Sequence, residues 1–317
     1  MIDIALAADA NYFPGLLVTA VSIARYASRR VALRFNVLDG GLDREDLTLL
    51  RERLASAHPS ASLRVLEVDE SRFTAFPAYN GSGRMAYARL LLPELVTDAE
   101  FLVYCDVDFL WTADIAELWE LRSPDFTLAA RRDGSPETER QESAWYAERG
   151  MDVEFSRYVC SGLMLVNLRR FRAERCSERV MAFLAEHPDV LFADQSAINA
   201  VVGDIRILPA RWGTFPRERQ FADAAIHFAG ATPWRRQWWT SLFTEAHFMW
   251  FSVYAGLVGG TRTGAVLKFL GWRDFLRRRL AWRLATSRLL RPPFFALLRL
   301  CRRGVYVPRL LEGAGDV

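Results

Sequence analysis

The N-terminal two thirds of the chain alternates between short apolar runs and segments with helical spacing, and this alternation strongly constrains the fold. The apolar runs, which predict strands, are residues 2–8, 33–39, 62–69, 100–106, 161–168 and 204–209. The helical segments are residues 15–28, 44–57, 84–95 and 194–202. Strands separated by helices predict a mostly parallel sheet that is covered on both faces. The predicted fold class is therefore α/β and Rossmann-like.

Polar residues lie at the carboxyl ends of two of these predicted strands. Asp9 and Asn11 follow the first strand, and Asp106 and Asp108 stand at the end of the fourth, in the stretch "VYCDVDFLW". Ligands of open α/β sheets bind beyond the carboxyl ends of the strands, so both groups are expected to face one crevice. The first strand is followed by "AADANYFPG" and not by Gly-x-Gly-x-x-Gly, which argues against a dinucleotide phosphate loop.

Asp106 and Asp108 lie two residues apart, so an extended chain points both carboxylates to the same side. Two like charges this close are unfavourable unless a cation or strong hydrogen-bond donors compensate them. A solvated loop end is one alternative, because Asp-x-Asp occurs by chance about once in a chain of this length. A phosphatase of the haloacid dehalogenase type is another, although Phe109 and Leu110 stand where that family has a small residue and then Thr or Val.

Two further stretches combine polar residues with a predicted change of direction. "FADQSAIN" places Asp194 and Gln195 at the start of a helix, where an acid is commonly only a cap. "IHFAGATPW" ends an apolar run at His227 and then bends at Gly230 and Pro233. A lone histidine near a tryptophan is more often a packed residue than a ligand. Neither stretch identifies a site by itself.

Taken in order, these elements resemble family 8 of the retaining nucleotide-sugar glycosyltransferases. The motifs that carry the resemblance are "AADANY", "YARLLLPEL", "VYCDVDFLW", "SGLMLVNL", "DQSAIN" and "HFAGATPW", which lie between about residues 2 and 240. Bacterial members include lipopolysaccharide and lipooligosaccharide glucosyl- and galactosyltransferases. The resemblance implies a GT-A domain over residues 1–240. A basic helical appendage, residues 241–317, would follow it.

The resemblance also supplies a partner for the paired carboxylates. It implies that Asp106, Asp108 and His227 bind a divalent metal, manganese or alternatively magnesium. Carboxylates together with one imidazole suit manganese chemically. A metal there would neutralise the acids and the leaving diphosphate together.

A set of donor-binding positions is implied in the same way: Ala7, Asp9, Asn11, Arg89, Asp106, Val107, Asp108, Cys160, Gly230 and Arg235. The first three would contact the nucleoside. Arg89 and Asp194 would hold hydroxyls of the donor sugar.

Gln195 and Asp194 are the implied catalytic residues, with Gln195 beneath the anomeric carbon. An amide is a poor nucleophile, so a covalent glycosyl-enzyme is disfavoured and front-face displacement is favoured. Asp133 is an additional candidate on the acceptor side, although its stretch "RRDGSP" is more typical of a turn.

The implied reaction is metal-dependent transfer of a hexose, galactose or glucose, from a UDP-sugar to a surface glycan such as lipopolysaccharide. Two departures from the family pattern leave the sugar open. Cys160 stands where the family usually has Asn, and Thr232 stands where it usually has Lys. Arg235 or Arg236 would replace the missing charge. A catalytically impaired member that serves as a glycan- or membrane-binding module is the alternative.

The last part of the chain is strongly basic. Beyond Thr261, thirteen Lys and Arg residues face three acids. Phe269, Trp272 and Leu276 recur at helical spacing among the arginines, which predicts an interfacial helix on an anionic membrane. A basic helix packed on the body, or nucleic-acid binding, is the alternative reading. We expect no nucleic-acid partner.

The location predicted for the enzyme is cytoplasmic, at the inner face of the membrane. Four widely spaced cysteines without a Cys-x-x-Cys pair suit a reducing compartment. The longest apolar run, residues 247–260, is shorter than the roughly 20 residues of a spanning helix. We therefore expect peripheral association rather than a transmembrane segment.

Overall fold

The computed structural model describes residues 1–77, 84–216, 218, 223–230, 232–234, 244–266, 268–270, 276, 280 and 289. The chain divides into two compact units, Met1–Ala229 and Gly230–Val317. Both units contain buried apolar residues.

The first unit contains ten strands among the described residues. Their bounds are β1 Ile2–Ala8, β2 Leu33–Asp39, β3 Ala61–Glu67, β4 Phe101–Cys105, β5 Phe109–Trp111, β6 Leu128–Arg132, β7 Val159–Asn167, β8 Ile205–Leu208, β9 Trp212–Thr214 and β10 Ala225–His227. Seven of them form one sheet in the order β3-β2-β1-β4-β7-β6-β8. All pairs in this sheet are parallel except those that β7 makes with β4 and β6. The predicted α/β class with a mostly parallel sheet is confirmed.

Eight α-helices of the described part of the first unit connect these strands. They are α1 Phe13–Tyr26, α2 Arg44–Ala57, α3 Leu92–Leu95, α4 Ile115–Trp119, α5 Pro136–Ala147, α6 Leu168–Ala173, α7 Cys176–Glu186 and α8 Ala193–Val201. Short 3-10 turns cover Ala10–Tyr12, Glu70–Phe73, Met85–Leu91 and Phe155–Arg157. Every residue of β1 is buried, as expected for a central strand of a sheet covered on both faces.

The predicted helix over residues 84–95 has a different form. Met85–Leu91 is a 3-10 helix, and only Leu92–Leu95 is α-helical. Pro93 has no backbone N–H, so it cannot donate the bond that an α-helix would direct to Arg89. The N–H of Leu92 reaches the Arg89 carbonyl instead, in the tighter 3-10 pattern.

A small second sheet continues the chain directly after the Asp-x-Asp pair. Its strand order is β5-β10-β9. In β10, His227 lies opposite Phe109 of β5 in an antiparallel pair. These three-residue strands were not predicted, because they are too short to show a pattern.

Helix α1 holds this second sheet in place through two buried hydroxyl groups. The Thr19 hydroxyl lies 2.7 Å from the carbonyl oxygen of Val107 and 2.8 Å from that of Phe109. The Ser22 hydroxyl accepts the N–H of Trp111 at 3.1 Å. The turn that carries the paired acids is therefore fixed to the core of the unit.

The second unit contains α9, Glu245–Leu257, whose aromatic residues form a compact group. Trp250 is fully buried and stacks on Trp234 at 5.3 Å and on Tyr254 at 5.4 Å between ring centroids. Among the described residues, no helix has the length and apolar character needed to traverse a bilayer. Most of the basic segment lies outside the described residues. The predicted domain boundary at residue 240 stays a prediction.

Candidate active site

The site lies at the edge of the large sheet where β1 and β4 end. Because β7 runs antiparallel to β4, its first residues lie at the same edge. The N–H of Asp106 donates to the carbonyl of Gly162 at 2.7 Å, which joins the end of β4 to the start of β7. Asp194 and Gln195, in the first turn of α8, and Arg89, in the 3-10 helix, contact the same edge. Arg89, Asp106, Asp194 and Gln195 are thus brought together by four elements, namely the 3-10 helix, the end of β4, the start of β7 and α8.

Asp106, Asp108 and His227 converge although about 120 residues separate the acids from the histidine. One ligand atom from each lies within 4.8 Å of the others. The pairing of β5 with β10 explains this, because it sets His227 beside the acidic turn. The N–H of Phe228 also donates to the carbonyl of Asp108 at 2.8 Å and closes the pair of strands.

The three residues fit a divalent cation. Asp108 Oδ1 is buried and has no hydrogen-bond partner among the described residues. His227 Nε2 lies 3.3 Å from it, without hydrogen-bond geometry. A buried carboxylate oxygen in this state costs free energy unless a cation compensates it. Two carboxylates and one imidazole form a donor set that suits manganese.

Gly162 leaves the space that this arrangement needs. A Cβ atom at this position would lie 2.6 Å from His227 Cε1, 3.0 Å from His227 Nε2 and 3.1 Å from Asp106 Oδ2.

We predict that Gly162→Ala displaces His227 and weakens Mn²⁺ binding by about ten- to a hundredfold, the usual effect of disturbing the surroundings of a metal ligand. Titration with the electron paramagnetic resonance signal of free Mn²⁺ measures this. Gly203→Ala is the control, since a Cβ there meets nothing within 4 Å. Equal Mn²⁺ affinity in the two variants would contradict the prediction.

Arg89 is a buried cation that joins the two acidic positions of the site. Its Nη2 donates to Asp106 Oδ1 at 2.8 Å, and its Nη1 donates to the carbonyl of Ser161 at 2.7 Å. Nη1 also lies 3.2 Å from Asp194 Oδ2, which has no hydrogen-bond partner in the described part of the chain. The Tyr104 hydroxyl donates to Asp106 Oδ1 at 2.7 Å. Arg89 therefore balances one acid on each side.

The pKa shifts at the site indicate that its buried acids have too little positive charge beside them. Burial raises the pKa of Asp106 to about 6, against the attraction of Arg89 and with the help of Asp108. Burial also raises the pKa of Asp194. Burial lowers the pKa of His227, but Asp108 and Cys160 together outweigh this effect and hold the pKa well above its usual value. A divalent cation would supply the missing charge and take the place of a proton.

Gln195 is held in one orientation. Its Oε1 accepts the N–H of Ser161 at 3.3 Å, and its Nε2 donates to Asp133 Oδ2 at 3.1 Å. A backbone N–H is always a donor, so this contact fixes which end of the amide is oxygen. Asp133 Oδ1 also accepts the N–H of Ser135 at 3.0 Å, as the predicted turn requires. Asp133 is thus both a turn residue and a contact of Gln195.

Glu142 is a buried acid of this region that the sequence analysis missed. It lies on α5 and is fully buried. The Tyr158 hydroxyl donates to its Oε2 at 2.8 Å, and the Ser196 hydroxyl donates to its Oε1 at 3.0 Å. Ser196 follows Gln195, so Glu142 supports the helix start that presents Gln195. In the segment "PETERQESAWYA" several acids look alike, and only the packing of Trp145 and Tyr146 marks the buried side.

The pH dependence of stability tests the Glu142 contacts. Burial raises the pKa of Glu142 above 4.5, against the donated hydrogen bonds. The folded protein then holds this proton more tightly than the unfolded chain, so this group lowers the free energy of unfolding as pH rises above 4.5. Glu142→Gln resembles the neutral acid, so we predict that its stability rises relative to the native chain from pH 5 to pH 8. Urea unfolding at both values measures the difference, with exposed Glu148→Gln as control. A difference that does not change with pH would contradict this prediction.

The remaining predicted positions lie in different surroundings. Ala7 is buried in β1, and Val107 is buried with its carbonyl on Thr19. Asp9 caps the first 3-10 turn, because its Oδ1 accepts the N–H of Asn11 at 2.8 Å. Their contacts with a donor stay predictions.

The last predicted positions are Cys160, Gly230 and Arg235, with Arg236 as the alternative to Arg235. Cys160 is partly exposed, and its Sγ lies 3.8 Å from His227 Nδ1. Gly230 belongs to the second unit and has a φ of +64°, which suits glycine. Arg235 and Arg236 lie outside the described residues, so their role in replacing the missing lysine charge remains a prediction from the sequence.

The mostly parallel seven-stranded sheet, flanked by helices and ending in the acidic turn, agrees with the GT-A fold expected from the sequence. Residues 3–237 match the model of Glycosyl transferase family 8, and the chain belongs to this family.

Similar proteins agree with this assignment. The chain is 28% identical over 203 residues to general stress protein A of Bacillus subtilis (strain 168), which covers 62% of this chain and 68% of that protein. It is 25% identical over 210 residues to a lipopolysaccharide 1,2-glucosyltransferase of Escherichia coli, which covers 64% of this chain and 60% of that protein. The solved galactosyltransferase LgtC, in complex with donor and acceptor sugar analogues, superposes with a TM-score of 0.69. This match has 24% identity, covers 80% of this chain and 96% of that one, and shows the shared fold.

Proposed function

We propose that this enzyme transfers a hexose, galactose or glucose, from a UDP-sugar to a surface glycan such as lipopolysaccharide, with a divalent metal and with retention of configuration. The observation that carries the proposal is the convergence of Asp106, Asp108 and His227 around a buried carboxylate oxygen with no hydrogen-bond partner among the described residues. Arg89 and Asp194 lie directly beside this cluster. This arrangement suits a nucleotide-sugar donor, because the diphosphate would lie at the metal cluster and the sugar beside it, at Arg89 and Asp194.

Asp106, Asp108 and His227 would hold the metal, manganese or alternatively magnesium. When bound, the metal supplies a Lewis acid that stabilises the departing nucleoside diphosphate. The buried guanidinium of Arg89 keeps the Asp106 carboxylate in place through a charge-assisted hydrogen bond.

Asp194 and Gln195 would meet the donor sugar. The Asp194 oxygen near Arg89 can accept a sugar hydroxyl, since no described residue hydrogen-bonds to it. Gln195 is fixed by Ser161 and Asp133, and an amide is a poor nucleophile. We therefore favour displacement from the front face, in which the leaving phosphate accepts the proton of the acceptor hydroxyl. Displacement from the front face would retain the configuration of the anomeric carbon.

The acceptor proposal rests on the relatives. A lipopolysaccharide 1,2-glucosyltransferase is among them, as reported above. The donor set proposed from the sequence remains Ala7, Asp9, Asn11, Arg89, Asp106, Val107, Asp108, Cys160, Gly230 and Arg235. The first three would contact the nucleoside.

Release of UDP from purified protein tests the proposal. The protein is incubated with UDP-glucose or UDP-galactose, with Mn²⁺, with Mg²⁺ or with EDTA. Metal-dependent UDP release with one of the sugars is the expected result. Tight glycan binding without UDP release from any donor would instead favour the impaired-member alternative. Hydrolysis of simple phosphate esters with Mg²⁺ would favour the phosphatase alternative.

The basic segment suggests where the enzyme works. We propose that residues 241–317 attach the GT-A domain, residues 1–240, to the anionic inner face of the membrane, where lipid-borne acceptors are accessible. Thirteen basic residues beyond Thr261 support this, together with the aromatic residues between them. Basic side chains meet anionic headgroups while aromatic rings enter the interface. The proposed location is therefore cytoplasmic and peripheral.

Removing charge from the tail tests the attachment. We predict that replacing Arg277, Arg278 and Arg279 together by Gln weakens binding to anionic vesicles by about a hundredfold, since each basic residue near such a surface contributes about 1 kcal/mol. Co-sedimentation with phosphatidylserine-containing vesicles measures this. The control replaces three exposed arginines of the body, namely Arg30, Arg44 and Arg51. An equal loss in both variants would attribute binding to net charge and contradict the attachment role of the tail.

A further inference from the structure

We propose that Cys160 is a positioning residue for His227, whose Nδ1–H it accepts so that Nε2 faces the two acids. The proposal rests on the proposed function, because it takes His227 as a metal ligand. The family resemblance implies that Cys160 contacts the donor sugar. In the structure its thiol lies against the histidine ring.

The two ring nitrogens of His227 have different neighbours. Nε2 lies 3.3 Å from Asp108 Oδ1, on the side of the paired acids. Nδ1 lies 3.8 Å from Cys160 Sγ, within hydrogen-bonding distance for sulfur. The thiol thus contacts the nitrogen that is not directed at the acids. In the proposed role, the Cys160 thiol affects the metal site only by orienting the His227 ring, and it is not itself a metal ligand.

Aromatic stacking fixes the plane of the ring but not its orientation within that plane. The Phe109 ring stacks on His227 at 4.3 Å between centroids with an interplanar angle of 11°. Phe215 stacks on it at 6.0 Å and 25°. A half turn of the imidazole exchanges nitrogens with carbons and leaves both stacks unchanged. Only a polar contact distinguishes the two states, and on the Nδ1 side Cys160 supplies it.

The tautomer that a metal-binding His227 needs, with its hydrogen on Nδ1, agrees with the contact to Cys160. A metal binds the unprotonated nitrogen of a neutral imidazole, so Nε2 can be a ligand only when Nδ1 carries the hydrogen. Histidine ligands ordinarily donate that hydrogen to an acceptor, which fixes the tautomer and the direction of the ring. A cysteine sulfur accepts weakly, but the ring here is already held by stacking. Cys160 therefore needs only to select one of two states.

Strand alternation explains why this position serves the histidine. Cys160 and Gly162 lie two residues apart on β7, so they point to the same face. Gly162 lacks the side chain that would collide with His227, and Cys160 offers the contact at the other end of the ring. Ser161, between them, holds Arg89 and Gln195 through its backbone. One short stretch of β7 thus serves the proposed metal site and the proposed donor site.

Mn²⁺ binding without donor tests the proposal. We expect Cys160→Ala to weaken Mn²⁺ binding by about tenfold, as measured by the signal of free Mn²⁺, because the ring can then turn away. Cys160→Ser, whose hydroxyl can also accept the hydrogen bond, should retain most of the affinity. Cys176→Ala is the control, because it removes a buried thiol whose sulfur contact is with Glu174 instead. Unchanged affinity in Cys160→Ala would overturn the proposal.

A double substitution separates orientation from direct contact. When His227 is replaced by Gln, adding Cys160→Ala should cause no further loss of Mn²⁺ affinity. An additive loss would mean that Cys160 acts on the metal independently and would refute the positioning role. The affinity of Cys160→Ala for the UDP-sugar at saturating Mn²⁺ tests the implied donor contact separately. A weaker donor affinity with normal Mn²⁺ binding would assign Cys160 to the donor and overturn the positioning role.

These measurements separate the two proposals. If the native chain binds no Mn²⁺, the proposed metal site fails and the role of Cys160 fails with it. If the native chain binds Mn²⁺ and Cys160→Ala binds it equally well, only the role of Cys160 fails. Melting temperatures of all variants without metal show whether each remains folded.

Discussion

Asp108→Asn is expected to lower metal-dependent turnover by about a thousandfold or more while the protein stays folded. Asn has nearly the volume of Asp but lacks the charge that binds a cation. Loss of a metal ligand removes several kcal/mol of transition-state stabilisation, and about 4 kcal/mol corresponds to a thousandfold in rate. UDP release at fixed donor and Mn²⁺ concentrations measures the effect. Mn²⁺ affinity should fall in parallel.

A surface aspartate provides the matched control. Asp98 pairs with Arg34 and Arg64, its side chain is 49% exposed, and Asp98→Asn should leave turnover unchanged. The two variants remove the same charge from the chain, so any difference comes from position. Full turnover in Asp108→Asn would exclude Asp108 as a metal ligand. So would lost turnover with unchanged Mn²⁺ binding.

Much of the large sheet could be predicted from the sequence, because its strands are continuous apolar runs. All six predicted strands were found: two have the predicted bounds, and each bound of the other four lies within two residues of the prediction. The direction of β7 could not be predicted, because an apolar run looks the same in parallel and antiparallel pairs. That direction matters, since it brings Cys160 and Gly162 to the edge where β4 ends.

The convergence of the site is harder to derive from the sequence. His227 reaches the acids through β5 and β10, which are three residues long and show no periodicity. Its implied role came from resemblance to the family, and the pairing supplies the physical reason. Thr19 looks like an ordinary helix residue until its hydroxyl is seen between two carbonyls of the acidic turn.

Arg89 shows what sequence patterning misses about charge. In "YARLLLPEL" it is the single cation among leucines, and nothing in this pattern shows that its side chain is only 4% exposed. A buried guanidinium is tolerated because Asp106 and Asp194 offset its charge. Because Arg89 is buried, we expect its replacement to have a large effect on the stability of the fold.

Arg89→Met should lower the free energy of unfolding by about 3–5 kcal/mol. Removing one partner of a buried ion pair leaves the other charge uncompensated, and this penalty exceeds the value of the pair itself. Here two acids, Asp106 and Asp194, would lose their cation at once. Methionine fills a similar volume, so the loss reports charge and hydrogen bonds rather than a cavity. Urea unfolding without metal measures it.

Arg72→Met is the control for the removal of an arginine–carboxylate pair as such. Arg72 forms two hydrogen bonds to Glu94, with side chains 41% and 60% exposed, so its loss should cost at most about 1 kcal/mol. Because the native fold is only about 5–15 kcal/mol stable, Arg89→Lys supplies a milder variant. Lys keeps the charge but cannot make the forked contacts to Asp106 and Ser161, so it should fall between the native chain and Arg89→Met. If Arg89→Met costs no more than Arg72→Met, Arg89 does not hold the acids of this site, and a different cation must balance them.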